Sequence, residues 1–395
     1  MSGTNFNITE NIIYIGVDDP TLDLFENQYR THNGVSYNSY LIKGEKTAVV
    51  DTTDDRTGEQ WLSNLQQALA GGKPDFLIIE HMEPDHSSLI STFLEIYPDT
   101  TLVLSAVAAK MLPEYFEALP AGLKLLTMKE GDTLDLGGLT LSFHTAPMVH
   151  WPEVMMAYCP EQRVLFSADA FGTFGTLDTS PDDWAAEARR YYYNIVGKYG
   201  PQVQNVLKKL RMLDIRTICT LHGPILNSDL DRYIGLYDTW SSYRPENDGV
   251  FIAVASIHDN TLHAAEYLAE TLRKKGVEDV CLVNLTRADL SETLAKAMMY
   301  PKAVFCASTY DAGLFTPMYS LMHLLEIKGY RDRKTALIEN GSWAPAAASV
   351  MRGMLEKMKG IEFTGDKVTL RGAFKETDKP AIDALADELM GNGEW

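Results

Sequence analysis

Four side chains able to bind a metal ion occur within six residues, directly after the apolar run 76–79. They are His81, Glu83, Asp85 and His86. Imidazole and carboxylate groups with no thiol nearby favour zinc, manganese or iron over an iron–sulfur cluster. Pro84 fixes its own backbone angle and biases Glu83 toward extended geometry, which predicts a stiff loop. The alternative is a polar loop whose histidines are satisfied by ordinary hydrogen bonds.

Three further candidate ligands end mostly apolar runs later in the chain. His150 follows residues 143–149, Asp169 closes 164–168, and His222 closes 217–221. A lone histidine at a strand end is more often structural, so each residue is weak evidence by itself. The ends of neighbouring strands converge at one edge of a sheet, where sites are usually assembled. We therefore include these three residues and leave out His144, which lies within a strand pattern and is expected in the core or behind the ligands.

The elements that must position these residues are short strands and helices. Predicted strands are Ile12–Val17, Tyr37–Ile42, Thr47–Asp51, Phe76–Glu80, Leu102–Ser105, Leu125–Met128 and Leu139–His144. Apolar residues at helical spacing predict a helix between Gly58 and Ala70, and another is expected over Ala106–Leu119. Strands come first and later interleave with helices, which predicts two sheets wrapped by helices.

Residues 241–249 are polar, include proline and glycine, and have the composition of a linker. We therefore predict two domains, residues 1–248 and 249–395. Five strands are predicted after the linker: Val250–Ala255, Val280–Val283, Ala303–Ala307, Thr335–Ile338 and Val368–Leu370. Helical patterns follow them: Thr261–Lys275, Leu290–Met299, Phe315–Ile327, Ala344–Lys357 and Pro380–Met390. This alternation predicts a doubly wound parallel sheet of flavodoxin-like size.

Three loops at the ends of these strands suit a phosphorylated, planar ligand. The first precedes a helix, where free N–H groups favour a phosphate, and contains Ser256, His258, Asp259, Asn260 and Thr261. The other two contain Ser308, Thr309, Tyr310, Asp311, Ala312 and Gly313, and Asn340, Gly341, Ser342 and Trp343. Tyr310 and Trp343 are candidates to flank a planar ring. Asp259 would repel a phosphate if it pointed inward, and the alternative is a set of polar turns with aromatic residues packed on the rim.

Composition excludes some classes of function. The 395 residues are 45% hydrophobic and 23% charged, which is typical of globular proteins. A formal net charge of -19 argues against nucleic acid and anionic membranes, and it permits a cationic redox partner. We expect no membrane span and no secretion signal. The four cysteines are far apart in apolar surroundings, which predicts buried thiols in a reducing cytoplasm.

The chain resembles flavodiiron proteins in motifs that extend over nearly its whole length. The motifs are His81-x-Glu83-x-Asp85-His86, His150-Trp151-Pro152, Ser167-Ala168-Asp169-Ala170-Phe171-Gly172, Leu221-His222-Gly223-Pro224 and Gly34–Tyr40. Related zinc hydrolases usually carry histidine where this chain has Glu83, and added carboxylates suit iron. The resemblance implies a metallo-β-lactamase-like αββα sandwich followed by a flavodoxin-like doubly wound parallel sheet.

The resemblance also implies the roles of the site residues. His81, Glu83 and His150 would hold one non-haem iron. Asp85, His86 and His222 would hold the second, and Asp169 would bridge the two irons. The loops of the second domain loosely resemble the loops of flavodoxins that bind flavin mononucleotide (FMN). No Cys-x-x-Cys pair is present, so we expect the two-domain form without a rubredoxin-like module.

By resemblance, the protein would reduce dioxygen to water or nitric oxide to nitrous oxide. Rubredoxin, a flavin reductase or reduced deazaflavin would supply electrons to the FMN. A head-to-tail homodimer, or a tetramer, would place each flavin beside the irons of a neighbouring chain. Many relatives carry histidine where this chain has Glu26, so the preferred gas stays open.

Two other classes of function fit parts of the sequence. A zinc hydrolase fused to a flavodoxin-like domain predicts zinc and the turnover of an ester or thioester. An electron-transfer flavoprotein with an inactive first domain predicts flavin and no metal. The complete set of seven candidate ligands counts against the second alternative. Metal analysis with an absorption spectrum separates all three.

Overall fold

The computed structural model describes residues 5–179 and 181–391. The chain forms two compact units that divide between Ser241 and Ser242, at the start of the polar stretch interpreted as a linker. Within the described ranges, no helix is long and apolar enough to cross a membrane.

The first unit contains two principal sheets. One has the spatial order Phe6–Asn7, Ile12–Tyr14, Tyr40–Lys43, Thr47–Val50, Phe76–Ile79, Thr101–Ser105 and Lys124–Met128. The other has the order Thr133–Asp135, Thr140–Thr145, Met155–Cys159, Val164–Phe166 and Thr217–Cys219. Small strand pairs join Val17–Asp19 to Val35–Tyr37 and Leu24–Phe25 to Tyr29–Arg30.

A shared apolar core lies between the two principal sheets. Tyr40 and Val50 from the first sheet pack in one cluster with Phe143 and Phe166 from the second, and all four are fully buried. Each such buried side chain contributes on the order of 2 kcal/mol of hydrophobic stabilisation. This core fixes the sheets against each other, and therefore fixes the strand ends that carry the candidate ligands.

Helices cover the outer face of the first sheet. Trp61 and Phe93 belong to a second cluster with Val49 and Leu77, whose side chains leave the sheet on the side opposite the shared core. The helices of this unit are Gly58–Leu69, Pro84–Ser87, Ile90–Ile96, Ala106–Tyr115, Pro181–Tyr191, Gly200–Leu210 and Leu230–Ser241, and Tyr192–Val196 is a π-helical segment. The layers confirm the predicted αββα sandwich.

The second unit is built on one principal parallel sheet. Its spatial order is Val280–Asn284, Val250–Ala255, Lys302–Tyr310 and Arg333–Asn340, with Ile361–Phe363 and Val368–Leu370 both pairing with the last of these. The short strand Gly313–Leu314 pairs with Lys302–Tyr310. Helices are Asn260–Lys274, Leu290–Met298, Thr316–Ile327, Ala347–Leu355 and Lys379–Met390. The first strand in sequence, Val250–Ala255, lies between the second and the third. This order confirms the predicted doubly wound flavodoxin-like sheet.

Several local predictions were wrong. The predicted strand Ile12–Val17 is two strands in different sheets, Ile12–Tyr14 and Val17–Asp19. The predicted strand over 37–42 is two strands in different sheets, because the Asn38 side chain donates to Thr220 O and Gly223 O and turns the chain between the sheets. The predicted stiff loop after Glu83 is a short helix, Pro84–Ser87, which Pro84 starts with its helix-compatible φ. The helix expected from Ala344 begins at Ala347, because Pro345 disfavours helical geometry at the residue before it.

Candidate functional site

The seven predicted metal ligands lie together at one edge of the first unit. They form two groups in which one ligand atom from each residue lies within 4.8 Å of the others. The first group is His81, Glu83, His150 and Asp169, and the second is Asp85, His86 and His222. The structure therefore brings together every residue of this set.

Strand ends and tight turns place these side chains. His81 follows the strand Phe76–Ile79, Asp169 follows Val164–Phe166, and His222 follows Thr217–Cys219. The turn after His222 requires glycine: Gly223 has φ +79°, and a Cβ there would lie 2.1 Å from Thr173 Oγ1. The one-turn helix Pro84–Ser87 carries Asp85 and His86, which both belong to the second group.

The first group has the geometry of ligands around a shared point. Glu83 Oε2 lies 3.2 Å from His81 Nε2 and 3.1 Å from His150 Nε2. The two imidazole Nε2 atoms are 3.3 Å apart. Two lone pairs at this separation repel each other unless a proton or a metal ion lies between them, so the arrangement suits a cation.

The second group repeats this pattern. His86 Nε2 lies 3.1 Å from His222 Nε2, and Asp85 Oδ2 lies 3.3 Å from His222 Nε2. Asp169 faces both groups, because its Oδ2 is 3.0 Å from His150 Nε2 and its Oδ1 is 3.3 Å from His86 Nε2. A carboxylate with one oxygen toward each group can bridge two ions.

Charges in the cluster alter the acidity of its groups in the metal-free protein. Burial lowers the pKa of His150, but the neighbouring Asp169 and Glu83 carboxylates outweigh burial and raise this pKa to about 9. Burial raises the pKa of Asp169, but His150, His81 and His86 lower it well below its usual value. The carboxylates of Asp169 and Glu83 therefore favour a proton on His150 in the metal-free protein, and a bound metal ion would take the place of that proton.

Sequence reasoning missed the buried groups behind the ligands. Glu153 Oε1 lies 2.7 Å from His81 Nδ1, and Asp51 Oδ1 accepts the backbone N–H groups of Glu80 and His81 at 3.0 and 3.4 Å. Glu80 accepts the N–H of Ala168 at 3.0 Å and so holds the segment that carries Asp169. Glu80 is the last residue of the predicted strand Phe76–Glu80. A carboxylate at the end of an apolar strand could have identified Glu80 as a residue that supports the site.

Tyr191 was also missed. Its ring lies 5.8 Å from the ring of His222, and its buried hydroxyl has no hydrogen-bond partner among the residues described. Burial, and then the charge of Asp169, raise the pKa of this hydroxyl well above its ordinary value. His144, expected in the core or behind the ligands, instead lies near the surface, with Nδ1 at 3.4 Å from Glu130. The position of His144 within a strand did not show whether its side chain would face the core or the surface.

A cavity of about 500 Å³ opens in front of the ligands. It is lined by Leu22, Leu24, Phe25, Glu26, Asn27, Tyr37, Asp54, Arg56, Glu83, Pro84 and Asp85. Arg56 Nη2 donates to the Tyr37 hydroxyl at 2.7 Å. Glu26 thus lies at the approach to the candidate metal centre.

The second unit has a cavity of about 640 Å³ at the carboxyl ends of its strands. Its lining includes the predicted residues Ser256, His258, Asn260, Thr261, Ser308, Thr309, Tyr310, Asp311, Ala312, Asn340, Gly341, Ser342 and Trp343. Asp259 and Gly313 are not in the lining, and Asp259 is exposed with φ +59°. Ile257, Ala344, Gly372 and Ala373 complete the lining. The last two follow the predicted strand Val368–Leu370, and that position could have identified them.

Polar groups line this cavity and could bind an anion, and the aromatic side chains at its rim could flank a planar group. Ser256 Oγ is buried without a hydrogen-bond partner among the described residues, beside the start of the helix Asn260–Lys274. Thr261 Oγ1 lies 3.1 Å from Ser308 Oγ. Tyr310 and Trp343 are 48% and 90% exposed, which leaves large aromatic surfaces uncovered at the rim.

Comparisons with known proteins match the first unit to a protein family and most of the chain to individual relatives. Residues 35–223 match the ODP family beta lactamase. The chain is 30% identical to the anaerobic nitric oxide reductase flavorubredoxin of Vibrio vulnificus over 367 residues, which cover 88% of this chain and 72% of that protein. It is 31% identical to diflavin flavoprotein A 1 of Synechocystis sp. over 72% of this chain and 50% of that protein. The chain therefore spans about half the length of that longer relative.

A solved structure shares the whole fold. The rubredoxin oxygen:oxidoreductase of the anaerobe Desulfovibrio gigas aligns with a TM-score of 0.92 and 22% identity, and the alignment covers 98% of each chain. At this identity the likeness supports the fold, whereas the match to the Vibrio vulnificus protein over most of both chains supports the family. The chain belongs to the flavodiiron protein family.

Proposed function

We propose that this protein is a flavodiiron oxidoreductase that reduces dioxygen to water, nitric oxide to nitrous oxide, or both. The reaction would occur at a non-haem diiron site supplied with electrons by FMN. The observation that carries the proposal is the position of Asp169, whose two carboxylate oxygens face the two groups of ligands. The names of the relatives, a nitric oxide reductase flavorubredoxin and a rubredoxin oxygen:oxidoreductase, support the same reactions.

The residues present fit a pair of iron ions. His81, Glu83 and His150 would hold one ion, Asp85, His86 and His222 the other, and Asp169 would bridge them. Asp85 Oδ1 and Asp169 Oδ1 are buried and have no hydrogen-bond partner among the described residues, so both retain lone pairs for a metal. Three carboxylates among seven ligands provide hard, anionic donors that suit iron in its higher oxidation state.

The cavity beside Glu83 and Asp85 is suited to a small neutral gas and to the protons that reduction of the gas consumes. Leu22, Leu24 and Phe25 give part of its wall an apolar surface. Tyr37 accepts a hydrogen bond from Arg56, so its own hydroxyl proton remains available for donation. When bound, each iron supplies one electron and reduced flavin supplies two. We propose that the protein's own residues admit the gas, exclude bulk water and deliver protons.

We propose that FMN occupies the cavity of the second unit. Its phosphate would bind the N–H groups at the start of the helix Asn260–Lys274 together with Ser256 and Thr261. The unsatisfied Ser256 hydroxyl and the outward position of Asp259 support this assignment, because the only carboxylate in that loop is then directed away from the phosphate. Tyr310 and Trp343 would flank the flavin ring.

The assembly and electron donor follow from the same proposal. We propose a head-to-tail homodimer, or a tetramer, in which the flavin of one chain supplies the irons of its neighbour. Rubredoxin is the first donor to test, since the Desulfovibrio gigas protein is named for it, and a flavin reductase or reduced deazaflavin are alternatives. Free cysteines at four positions suit a reducing compartment, and we propose the cytoplasm.

Metal and flavin analysis of anaerobically purified protein tests this function. We predict two irons and one FMN per chain, with a flavin absorption spectrum that bleaches on reduction. The match to a beta lactamase family makes a zinc hydrolase the second candidate. Zinc together with ester hydrolysis that is independent of flavin redox state would support that candidate. Flavin without metal would support a simple electron carrier.

A further inference from the structure

The two nitrogens of His81 have different surroundings. Nε2 faces the candidate metal position, at 3.2 Å from Glu83 Oε2 and 3.3 Å from His150 Nε2. Nδ1 lies 2.7 Å from Glu153 Oε1 on the opposite side of the ring. An ionised carboxylate can only accept, so the Nδ1–H donates to it and the Nε2 lone pair is directed at the metal position.

Glu153 is held firmly in this place. It is 2% exposed, and its Oε1 also accepts the backbone N–H of Met82 at 2.9 Å. The Trp151 ring packs edge-on against His81, with the ring centroids 5.2 Å apart. Residues 150–153 therefore supply one ligand of the first group and also restrain another. The spacing of the candidate ligands in the sequence did not predict this contact between Glu153 and His81.

Among the residues that the structure describes, neither histidine of the second group has a carboxylate at its Nδ1. His222 Nδ1 donates to the backbone carbonyl of Ser36 at 2.8 Å. His86 Nδ1 is buried and has no hydrogen-bond partner within residues 5–179 and 181–391. A carboxylate acceptor makes an imidazole a stronger electron donor to a metal than a neutral carbonyl does. The two groups therefore differ in donor strength as well as in composition.

We propose that Glu153 is a positioning residue that makes the two metal positions inequivalent. It holds His81 as the Nδ1–H tautomer and strengthens Nε2 as a ligand. The position formed by His81, Glu83 and His150 therefore binds its metal more tightly than the position formed by Asp85, His86 and His222. It also stabilises the higher oxidation state of its iron to a greater extent. This inference rests on the proposed diiron function and deepens it.

Metal titration of the full-length metal-free protein tests the inference. Cobalt(II), added anaerobically against a competing chelator and followed by its absorption bands, should reveal a tighter and a weaker class of site in the wild type. Glu153→Gln keeps the shape and an acceptor for Met82 N–H but removes the charge. We expect it to weaken the tighter class by about tenfold to a hundredfold and leave the weaker class unchanged. Glu153→Asp, which restores the charge, should recover part of the affinity.

A matched control is Glu161→Gln, which removes an exposed carboxylate that accepts from Thr140 N–H and lies outside the cluster. The iron-loaded Glu153→Gln protein should also show a higher reduction potential for one iron only. A merely structural role would not produce that selective shift. Equal weakening of both classes, or no weakening of either, would overturn the role of Glu153 while two wild-type sites still supported the proposed function. A wild type that bound no cobalt would overturn both.

A measurement on the wild type keeps the inference testable if Glu153→Gln does not fold. In zinc-loaded protein with ¹⁵N-labelled histidine, the His81 Nδ1–H proton should resonate far downfield, as expected for a short bond to a carboxylate. His81 is identified by the loss of its signal in His81→Gln. The absence of a strongly shifted Nδ1–H resonance, or its persistence in His81→Gln, would contradict the proposed tautomer.

Discussion

Asp169 Oδ1 lies 3.3 Å from His86 Nε2, although the two residues follow different strands of different sheets. The other oxygen, Oδ2, lies 3.0 Å from His150 Nε2 in the first group. One side chain thus has a carboxylate oxygen beside a histidine of each group. Asp169 is therefore the residue on which a paired metal centre most depends.

Replacing Asp169 with asparagine should reduce binding at both metal positions. The amide removes the negative charge, and one of its two ends presents N–H donors where a metal needs a lone pair. Glu83→Ala should mainly affect the position formed with His81 and His150. Metals per chain, measured by elemental analysis, should fall most in Asp169→Asn and should not change in the control His144→Ala. Two irons per chain in Asp169→Asn would rule out the bridging role.

Metal binding should depend on pH, because protons and metal compete for the same nitrogen. His150 has a pKa raised from 6.5 to about 9 in the metal-free protein, so a proton must leave when metal binds below that pH. Zinc affinity should therefore increase from pH 6.5 to 9, with proton release detectable by an indicator dye. An affinity that does not vary over this range would contradict the proposed charge state.

The same pKa shift predicts the pH dependence of stability without metal. A histidine whose folded pKa is raised contributes stability that is fully present below its unfolded value of 6.5 and is lost as pH rises through about 9. The metal-free protein should therefore unfold at lower temperature at pH 9 than at pH 6.5. His150→Gln should reduce this difference, and equal pH dependence in wild type and variant would contradict the assignment.

The candidate ligands were predictable because each follows an apolar run. His150, Asp169 and His222 lie far apart in sequence. The ends of neighbouring strands meet at one edge of a sheet, so residues that follow predicted strands could be expected to lie close together. The spatial order of the strands was not predictable from local patterns, because Asn38 sends the chain from one sheet to another through hydrogen bonds to residues more than 180 positions away.

Residues that act behind the ligands carried weaker signals. Glu153 and Tyr191 are polar residues in polar or aromatic surroundings, and only the three-dimensional arrangement places Glu153 against His81 and Tyr191 against His222. Asp259 was grouped with its loop by proximity in sequence. Its left-handed backbone conformation turns it to the surface, and single-residue φ values cannot be inferred from composition.

Flavin binding should be a property of the second unit alone. A fragment that begins at Ser242 contains the complete cavity lining and its own apolar core around Val254 and Leu268. We expect this fragment to bind FMN, to be yellow and to lack gas-reducing activity. Ser256→Ala combined with Thr261→Val should weaken binding in a fluorescence titration with FMN. A folded fragment that remained colourless with excess FMN would contradict this assignment.

A head-to-tail dimer predicts complementation between two inactive variants. His86→Ala lacks one metal position but keeps its flavin cavity, whereas the Ser256 and Thr261 double variant keeps its ligands. Mixed dimers contain one interface with an intact flavin and intact irons, so part of the activity should return. Mixed dimers that form, as shown by native mass spectrometry, yet remain inactive would mean that electrons pass within one chain.

The most direct test of the proposed function is a single turnover of the reduced protein with each gas. Protein loaded with iron and FMN is reduced anaerobically and mixed with dioxygen or nitric oxide while flavin absorbance and products are followed. We predict rapid reoxidation of the flavin with at least one gas, yielding water without hydrogen peroxide or yielding nitrous oxide, and slow reoxidation in Glu83→Ala. Reoxidation at the same rate in both proteins, with hydrogen peroxide as the product, would contradict reduction at a diiron centre.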